Sequence, residues 1–572
     1  MITNNIKKSA ILLLTALLFT FSSCSDFLEE TPYDFVGLED LDDSKESVDY
    51  LVTGVYSKWC DNMLRYNAFP YSIELDADYI SGPSWLVGSL GAGNFQDATN
   101  VADLWDGCYN LIERCNSAIE QIEPMENVED DAKANALGEL YFNKAICYFI
   151  LTRAFGPIPL SDVSAKSAQE EGLSLYNKRS EIVDVYADII SLLEKAEAGL
   201  YAINDANYVV GHVASGSAAA LLAKVYATMG AGSNGDGTIT IQSGPAYSGT
   251  TSNLLAAHDV IINTTLVDGY DFDSAECYDK VIYYCEKLMN GEYGNYALLP
   301  FDSMWKHDSF NLTDGAEYMF TLYSVASSEV YGNKLNRYYS YSTTSDGLVS
   351  KGLWVGNRNH WYELFEDEDR RITEGVLHRW QSDGKDFGTY FPQSYSTIVE
   401  SGVAPFDDGL SYSKASGSSN LAFVTKYFDV TDKTAEYADA YYSLLRYADV
   451  VLLYAEALNE KTAGSSVAKD LVYSVRERSL EGASRIDLDD AITRDALRSL
   501  IIEERAKELA CESDRRWDLI RWGIYLDAMN ALEGPDEAGI AKSRQSKHLL
   551  YPIPIDEVLA NENITENNPG WN

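Results

Sequence analysis

Apolar positions recur at helical spacing along most of the chain. Between Val101 and Ile122 they fall at Leu104, Cys108, Leu111, Ile112, Cys115, Ala118, Ile119 and Ile122, the three-to-four-residue recurrence of a helix with one buried face. A second helix is predicted over Asp131–Phe155, and Gly156-Pro157-Ile158-Pro159 stops it. The same reasoning predicts helices over Ile182–Leu200, Ser215–Met229, Tyr278–Leu288, Leu444–Glu460, Val467–Leu480 and Asp489–Glu512. Residues 291–430 differ: aromatic runs are short, Gly and Ser are frequent, and helical period is poor. This stretch predicts loops, short helices and a few strands such as Glu317–Tyr323. The tail from Leu550 to Asn572 is rich in Pro and Asn, so it is predicted to be extended but packed.

The fold class that follows is predominantly α. Leu137-Gly138-Glu139-Leu140-Tyr141 matches the Leu-Gly-x-x-Tyr fragment of the tetratricopeptide repeat. Ala218–Tyr226 and Tyr447–Glu460 share its Ala/Leu/Tyr texture. No strict period of about 34 residues is present, so the expectation is a tetratricopeptide-like scaffold of divergent repeats, in one body, with an irregular loop-rich middle. The segments are 46–290 and 431–572 for the helical parts, 291–430 for the aromatic-rich middle, and 1–23 and 24–45 for what precedes them.

Those first residues are not fold. Lys7 and Lys8 precede an apolar run from Ala10 to Phe21, too short to span a bilayer, and Ser22-Ser23-Cys24 follows. This is the order of a secretory signal. Cys24 stands where a bacterial lipoprotein carries its lipidated cysteine, with Phe21 where Leu is usual. Residues 24–45 are acidic and form a solvated tether, and the run behind Cys24 resembles the surface-export signal of Bacteroidetes lipoproteins. The other cysteines, Cys60, Cys108, Cys115, Cys147, Cys277, Cys285 and Cys511, are odd in number and contain no CxxC pair. They are expected to be buried small hydrophobes, not a disulfide framework.

Charge removes one class of partner. The chain has 572 residues, with 88 Asp plus Glu against 44 Lys plus Arg, a field that repels nucleic-acid phosphate. The chemistry of common enzymes is missing too. The six histidines form no HExxH, and no GxSxG elbow, Walker loop or GxGxxG after a strand occurs. No cofactor is expected. Asp268, Asp271, Asp273 and Glu276 cluster like oxygen ligands without EF-hand spacing, which leaves a structural calcium site open. A glycosidase needs only two carboxylates across a cleft, and an acidic chain always offers such pairs, so hydrolysis stays open as the minor alternative.

Three C-terminal segments carry a family resemblance. Leu445-Arg446-Tyr447-Ala448-Asp449-Val450-Val451-Leu452-Leu453-Tyr454-Ala455-Glu456-Ala457 resembles a signature helix of the SusD/RagB family. Glu503 to Leu509 followed by Arg516-Trp517-Asp518-Leu519-Ile520-Arg521-Trp522-Gly523 resembles its second signature, with Ser513-Asp514 where the family often has Gly. Tyr551-Pro552-Ile553-Pro554 with Asn568-Pro569-Gly570-Trp571 is similar to its closing motif, and Arg153 to Leu160 to an upstream turn. Physically these motifs are scaffold: Tyr447, Val450, Leu453, Tyr454 and Ala457 share a helix face, Glu504 and Glu508 share another with Arg505 able to pair locally, and Trp517 and Trp522 anchor helices.

The resemblance implies a non-enzymatic outer-membrane lipoprotein, lipid-anchored through Cys24. It would capture a nutrient, an oligo- or polysaccharide or alternatively a peptide, for a SusC-type TonB-dependent β-barrel transporter. Sugars offer flat C–H faces to aromatic rings, so the candidate site residues are aromatics that no core explains. Trp85 lies in the Gly/Pro loop Ser81–Gly88, and Asp76 and Asp78 precede it as candidate hydroxyl acceptors. Tyr331, Tyr338, Tyr339, Tyr341 and Trp354 form a second cluster in the middle region.

Overall fold

Helices built from these periodic segments pack in chain order, each against the one before it. A computed structural model describes residues 41–64, 68–247, 255–263, 267–342, 349–382, 387–392, 411–480, 492–512 and 514–571. The predicted signal segment and Cys24 lie outside the described residues, as does most of the predicted tether. The succession runs Lys45–Lys58, Thr99–Ile122, Asp130–Phe155, Ile182–Gly199, Ser215–Gly232, Ser274–Met289, Tyr447–Lys461, Ser466–Glu477 and Arg494–Glu508. One contiguous apolar core threads all of them, with a small satellite at Leu299, Met304, Phe310 and Tyr318.

The Leu-Gly-x-x-Tyr fragment shows why consecutive helices can approach. A Cβ on Gly138 would sit 3.0 Å from the Leu200 side chain, and one on Gly199 would sit 2.6 Å from the Ala134 carbonyl oxygen. Side chains at these crossings would hold the helices apart. The Asp130–Phe155 helix is buried on every side from Gly138 onward, except at Tyr141 and Arg153, the mark of a central rather than a surface helix. The seven cysteines expected to be apolar filling are buried and unpaired.

The middle region is more regular than its sequence suggests. Strand Tyr318–Leu322, inside the predicted Glu317–Tyr323, pairs antiparallel with Tyr442–Arg446 and so fastens the middle to the C-terminal helices. Beyond it stands a five-stranded mixed sheet, in the order Ser411–Lys414, Phe387–Tyr390, Arg379–Ser382, Val349–Gly352, Tyr341–Ser342. The strands are only two to four residues long, which explains why no alternation announces them.

Charged residues hold the C-terminal half from within. Arg446 reaches Glu317 at 2.6 Å, Glu512 at 2.6 Å and Glu508 at 3.1 Å. Arg478 bridges Glu317 and Glu508, each at 2.6 Å, and Arg371 bridges Asp369, Glu504 and Glu508. Arg505 does not pair with Glu504 or Glu508 as its spacing suggested. It turns the other way, to Asp449 and Asp518, each at 2.7 Å, because Glu504 and Glu508 already serve guanidinium groups on the opposite side. Trp517 and Trp522 are buried anchors, as expected.

These pairs set an acid limit on stability. Burial alone would raise the Glu508 carboxyl, but Arg478, Arg446 and Arg371 together hold it well below the ordinary range, and Glu537, close to His360 and hydrogen-bonded by Arg358 at 2.8 Å, is lowered to about 2 against the effect of its burial. A depressed carboxylate contributes stability above its unfolded pKa, roughly 4.3 for Glu, and loses it as pH falls toward the folded value. The urea midpoint should therefore be flat from neutral pH to about 5 and fall steeply below about 4.3. Arg446→Met removes one cation from Glu317, Glu508 and Glu512, which keep Arg478, Arg371 and Lys426 between them; it should cost up to about 3–5 kcal/mol at pH 7 and should be partly relieved near pH 4, where its partners can take protons. Urea melts across that range check both.

Candidate ligand-binding site

The segment Glu74–Ser81 is welded into the core before the chain turns out to the surface. Asp76 is fully buried and receives Arg516 at 2.6 Å and Arg544 at 2.8 Å, and Tyr525 donates its hydroxyl to it. Asp78 is buried against Arg515 at 2.6 Å. The Lys542 ammonium donates to the Ile80 carbonyl at 2.7 Å, and the Ser81 hydroxyl to Asp536 at 2.6 Å. Ile80–Ser81 then pairs antiparallel with Gly356–Asn357, so this segment lies beside the backbone that bears Trp354.

Trp85 emerges just beyond, on the one-turn helix Ser84–Val87, and is 67% exposed. Its ring meets Trp354 edge-on, with centroids 5.1 Å apart and planes at 82°. Trp354 in turn meets Tyr338 at 5.0 Å and 64°, and Tyr338 meets the buried Tyr71 at 4.7 Å and 85°. Backbone bonds fix the second ring pair: Trp354 and Val355 both donate their N–H to the Tyr338 carbonyl, at 3.0 and 2.8 Å. Gly82 makes the first contact feasible, since a Cβ there would fall 2.2 Å from the Trp354 carbonyl oxygen.

Three predicted residues, Trp85, Trp354 and Tyr338, thus converge from two distant parts of the chain. Others do not. Asp76 and Asp78 are spent on arginines in the interior and do not face a ligand, so they anchor the platform loop instead of accepting hydroxyls. Tyr339 turns the opposite way from Tyr338 and is fully buried, 5.3 Å from Tyr427; burial pushes its phenol pKa well above the ordinary value. Tyr331 is 44% exposed on a neighbouring loop and makes no ring contact with a described residue. Tyr341 opens a strand, but its side chain lies outside what is described. Tyr71 was not anticipated; its only signal is an aromatic in the short helix Ala68–Glu74, ahead of the acidic segment.

No group of three or more His, Cys, Asp or Glu among the described residues is placed to hold a metal. The suggested calcium ligands do not converge, and Asp273 instead caps the Ser274–Met289 helix by accepting the Glu276 N–H at 3.0 Å. No helix among the described residues is long and apolar enough to cross a membrane.

These features define a helical, tetratricopeptide-like protein that carries an aromatic platform on its surface. Comparison with known proteins places it further. Residues 304–571 match the model of the SusD family, and residues 26–227 match a model described as starch-binding associating with outer membrane. A SusD-like protein P2 of Formosa agariphila is 26% identical over 97% of this chain and 98% of its own. A solved SusD homolog from Bacteroides thetaiotaomicron superposes with a TM-score of 0.73 at 20% identity, covering 93% of this chain and 98% of that one. Surface glycan-binding protein A from the same organism, solved with laminarihexaose, gives 0.65 at 17% identity over 91% and 99%. The chain belongs to the SusD/RagB family.

Gly82→Ala should force the platform loop off Trp354. The expected outcome is a loss of about 1–3 kcal/mol of stability, the usual range for overpacking, together with loss of the exciton circular-dichroism couplet from the Trp85–Trp354 pair. An unchanged couplet would show that the loop accommodates a methyl group without moving.

Proposed function

We propose that this protein is a surface-displayed, lipid-anchored glycan-binding protein that captures oligo- or polysaccharide and passes it, without chemistry, to a SusC-type TonB-dependent β-barrel. The carrying observation is Trp85, a large apolar ring left in solvent yet in edge-on contact with a second tryptophan. A pyranose C–H face stacks on a ring presented in this way. The solved relative bound to laminarihexaose has the same fold, which supports a glycan ligand without naming the sugar. Cys24 would carry the lipid, and several acyl chains would be needed because one chain binds membrane only marginally.

The platform is tested by affinity electrophoresis and calorimetry against a panel of soluble polysaccharides. Trp85→Ala should lose roughly 1–3 kcal/mol of affinity, by analogy with base stacking on aromatics, at an almost unchanged melting temperature. Binding of a neutral glycan should vary little between low and high salt; binding that salt abolishes, with basic peptides preferred, would select the peptide alternative. Release of shorter glycans by the purified protein, abolished by a single carboxylate change, would overturn the non-catalytic reading. Separately, Cys24→Ala should move the protein out of the membrane fraction, and mild-detergent pull-down should recover a large β-barrel.

A further inference from the structure

A groove of about 650 Å³ runs between the Thr99–Ile122 helix, the segment 159–165 and the loop 173–177, and Glu557 and Asn561 complete its wall. That volume lies within the range of clefts that take ligands. Trp105 and Ile112, both buried, and the half-buried Tyr109 give it an apolar floor. None of the residues that line it belongs to the Trp85 cluster.

The loop presents Leu173, Leu175 and Tyr176 at 51, 57 and 44% exposure, yet its backbone is tied down. The Asn177 side chain donates to the Leu160 carbonyl at 2.7 Å, Asn561 to the Asn177 carbonyl at 3.1 Å and Asn563 to the Tyr176 carbonyl at 2.7 Å. The Leu173 N–H donates to the Ala168 carbonyl at 2.8 Å. Grouped exposure of apolar side chains, unlike single exposed residues, is a feature of contact surfaces. Charge is the second feature. Partial burial raises the Asp106 carboxyl, and so do the neighbouring carboxylates of Asp103, Asp556 and Glu557; no cation acts on it. Elsewhere in this fold arginines answer such groups. At this groove, among the described residues, Asp106 has no ion-pair or hydrogen-bond partner for its side chain.

We propose that this groove docks a segment of a partner protein in which an aliphatic or aromatic side chain is flanked by Lys or Arg. The apolar side chain covers Leu173, Leu175 and Tyr176, and the cations answer Asp106 and the carboxylates around it. The charge disfavours other occupants. A second copy of this chain, with its net charge of −44, brings like charge to the contact. An anionic lipid surface is repelled in the same way. A small molecule seated in the groove leaves the exposed loop uncovered, whereas a polypeptide fills the groove and covers its rim. The proposal is independent of what binds at Trp85.

An array of short synthetic peptides, probed with the full chain, tests it. Across the array the number of Lys or Arg residues and the number of Leu or Phe residues vary independently. Peptides that carry both kinds should bind; those that carry one kind alone, or acids in place of the basic residues, should not. Leu173→Ser combined with Leu175→Ser should weaken the best peptide about tenfold or more, at an unchanged melting temperature because both side chains are exposed. Asp106→Asn combined with Glu557→Gln should weaken it about threefold or more and flatten its salt dependence. Asp367→Asn combined with Glu368→Gln removes the same charge at exposed positions outside the groove and should change neither. Should the leucine pair fail to fold, the carboxylate pair decides. The groove is overturned if no peptide binds, if basic charge alone decides binding, if the groove variants bind like the wild type, or if the distant pair weakens binding as much as the groove pair.

Discussion

Placing a guanidinium or a carboxylate in a protein interior costs several kcal/mol per ion, and one partner seldom repays it. The interior of this protein meets that constraint by sharing. Glu508 answers Arg371, Arg446 and Arg478; Glu317 answers Arg446 and Arg478; Asp76 answers Arg516 and Arg544. Each ion has partners on different segments, so none of these segments can shift without leaving a charge exposed to a low-dielectric surrounding. The middle region enters through Glu317 and Arg371, and the Glu74–Ser81 segment through Asp76 and Asp78. Specification of where the irregular parts sit comes from these ions more than from helix packing, because the irregular parts have little periodic apolar face to offer.

The same sharing shapes the exterior. Interior cations and carboxylates are close to matched, as the paired partners show, so the net charge of −44 is carried almost wholly by the surface. An acidic surface keeps the protein soluble and repels polyanions. It does not itself recognise a neutral sugar, whose binding must come from ring stacking and fixed polar groups. On the function proposed above, recognition falls to the places where aromatic rings break the acidic shell, of which the Trp85 cluster is one.

Helices were legible because their apolar stripes run for three turns or more; the observed Thr99–Ile122, Asp130–Phe155 and Ile182–Gly199 fall within a residue or two of their predicted ends. The five-stranded sheet was not, since two to four residues cannot display a period. The exposure of Trp85 was legible because a Gly/Pro loop gives a tryptophan no core to enter. Tyr338 and Tyr339 were not separable: adjacent helical residues point about 100° apart, so one faces Trp354 and the other the interior, and a five-residue helix carries no pattern to set that phase. Asp76 and Asp78 looked like free acids because their arginines lie more than 430 residues away in sequence, a distance over which no local pattern reports.

In the role proposed above, the aromatic cluster offers a ring placed by contacts with other rings. Trp85, Trp354, Tyr338 and Tyr71 meet in series at steep angles, each edge against the next face, from solvent to core. Edge-to-face contacts are favourable in themselves, and here they also immobilise the exposed ring before any ligand arrives. A tryptophan free to rotate would lose side-chain entropy on binding, at about 0.5–1.5 kcal/mol for each ordered side chain. In the proposed role Trp85 would meet its ligand already placed by a series of ring contacts that ends in the buried Tyr71. On that reading the core meets the cost of presenting the ring, and little of a stacking contact's affinity would be lost to ordering it.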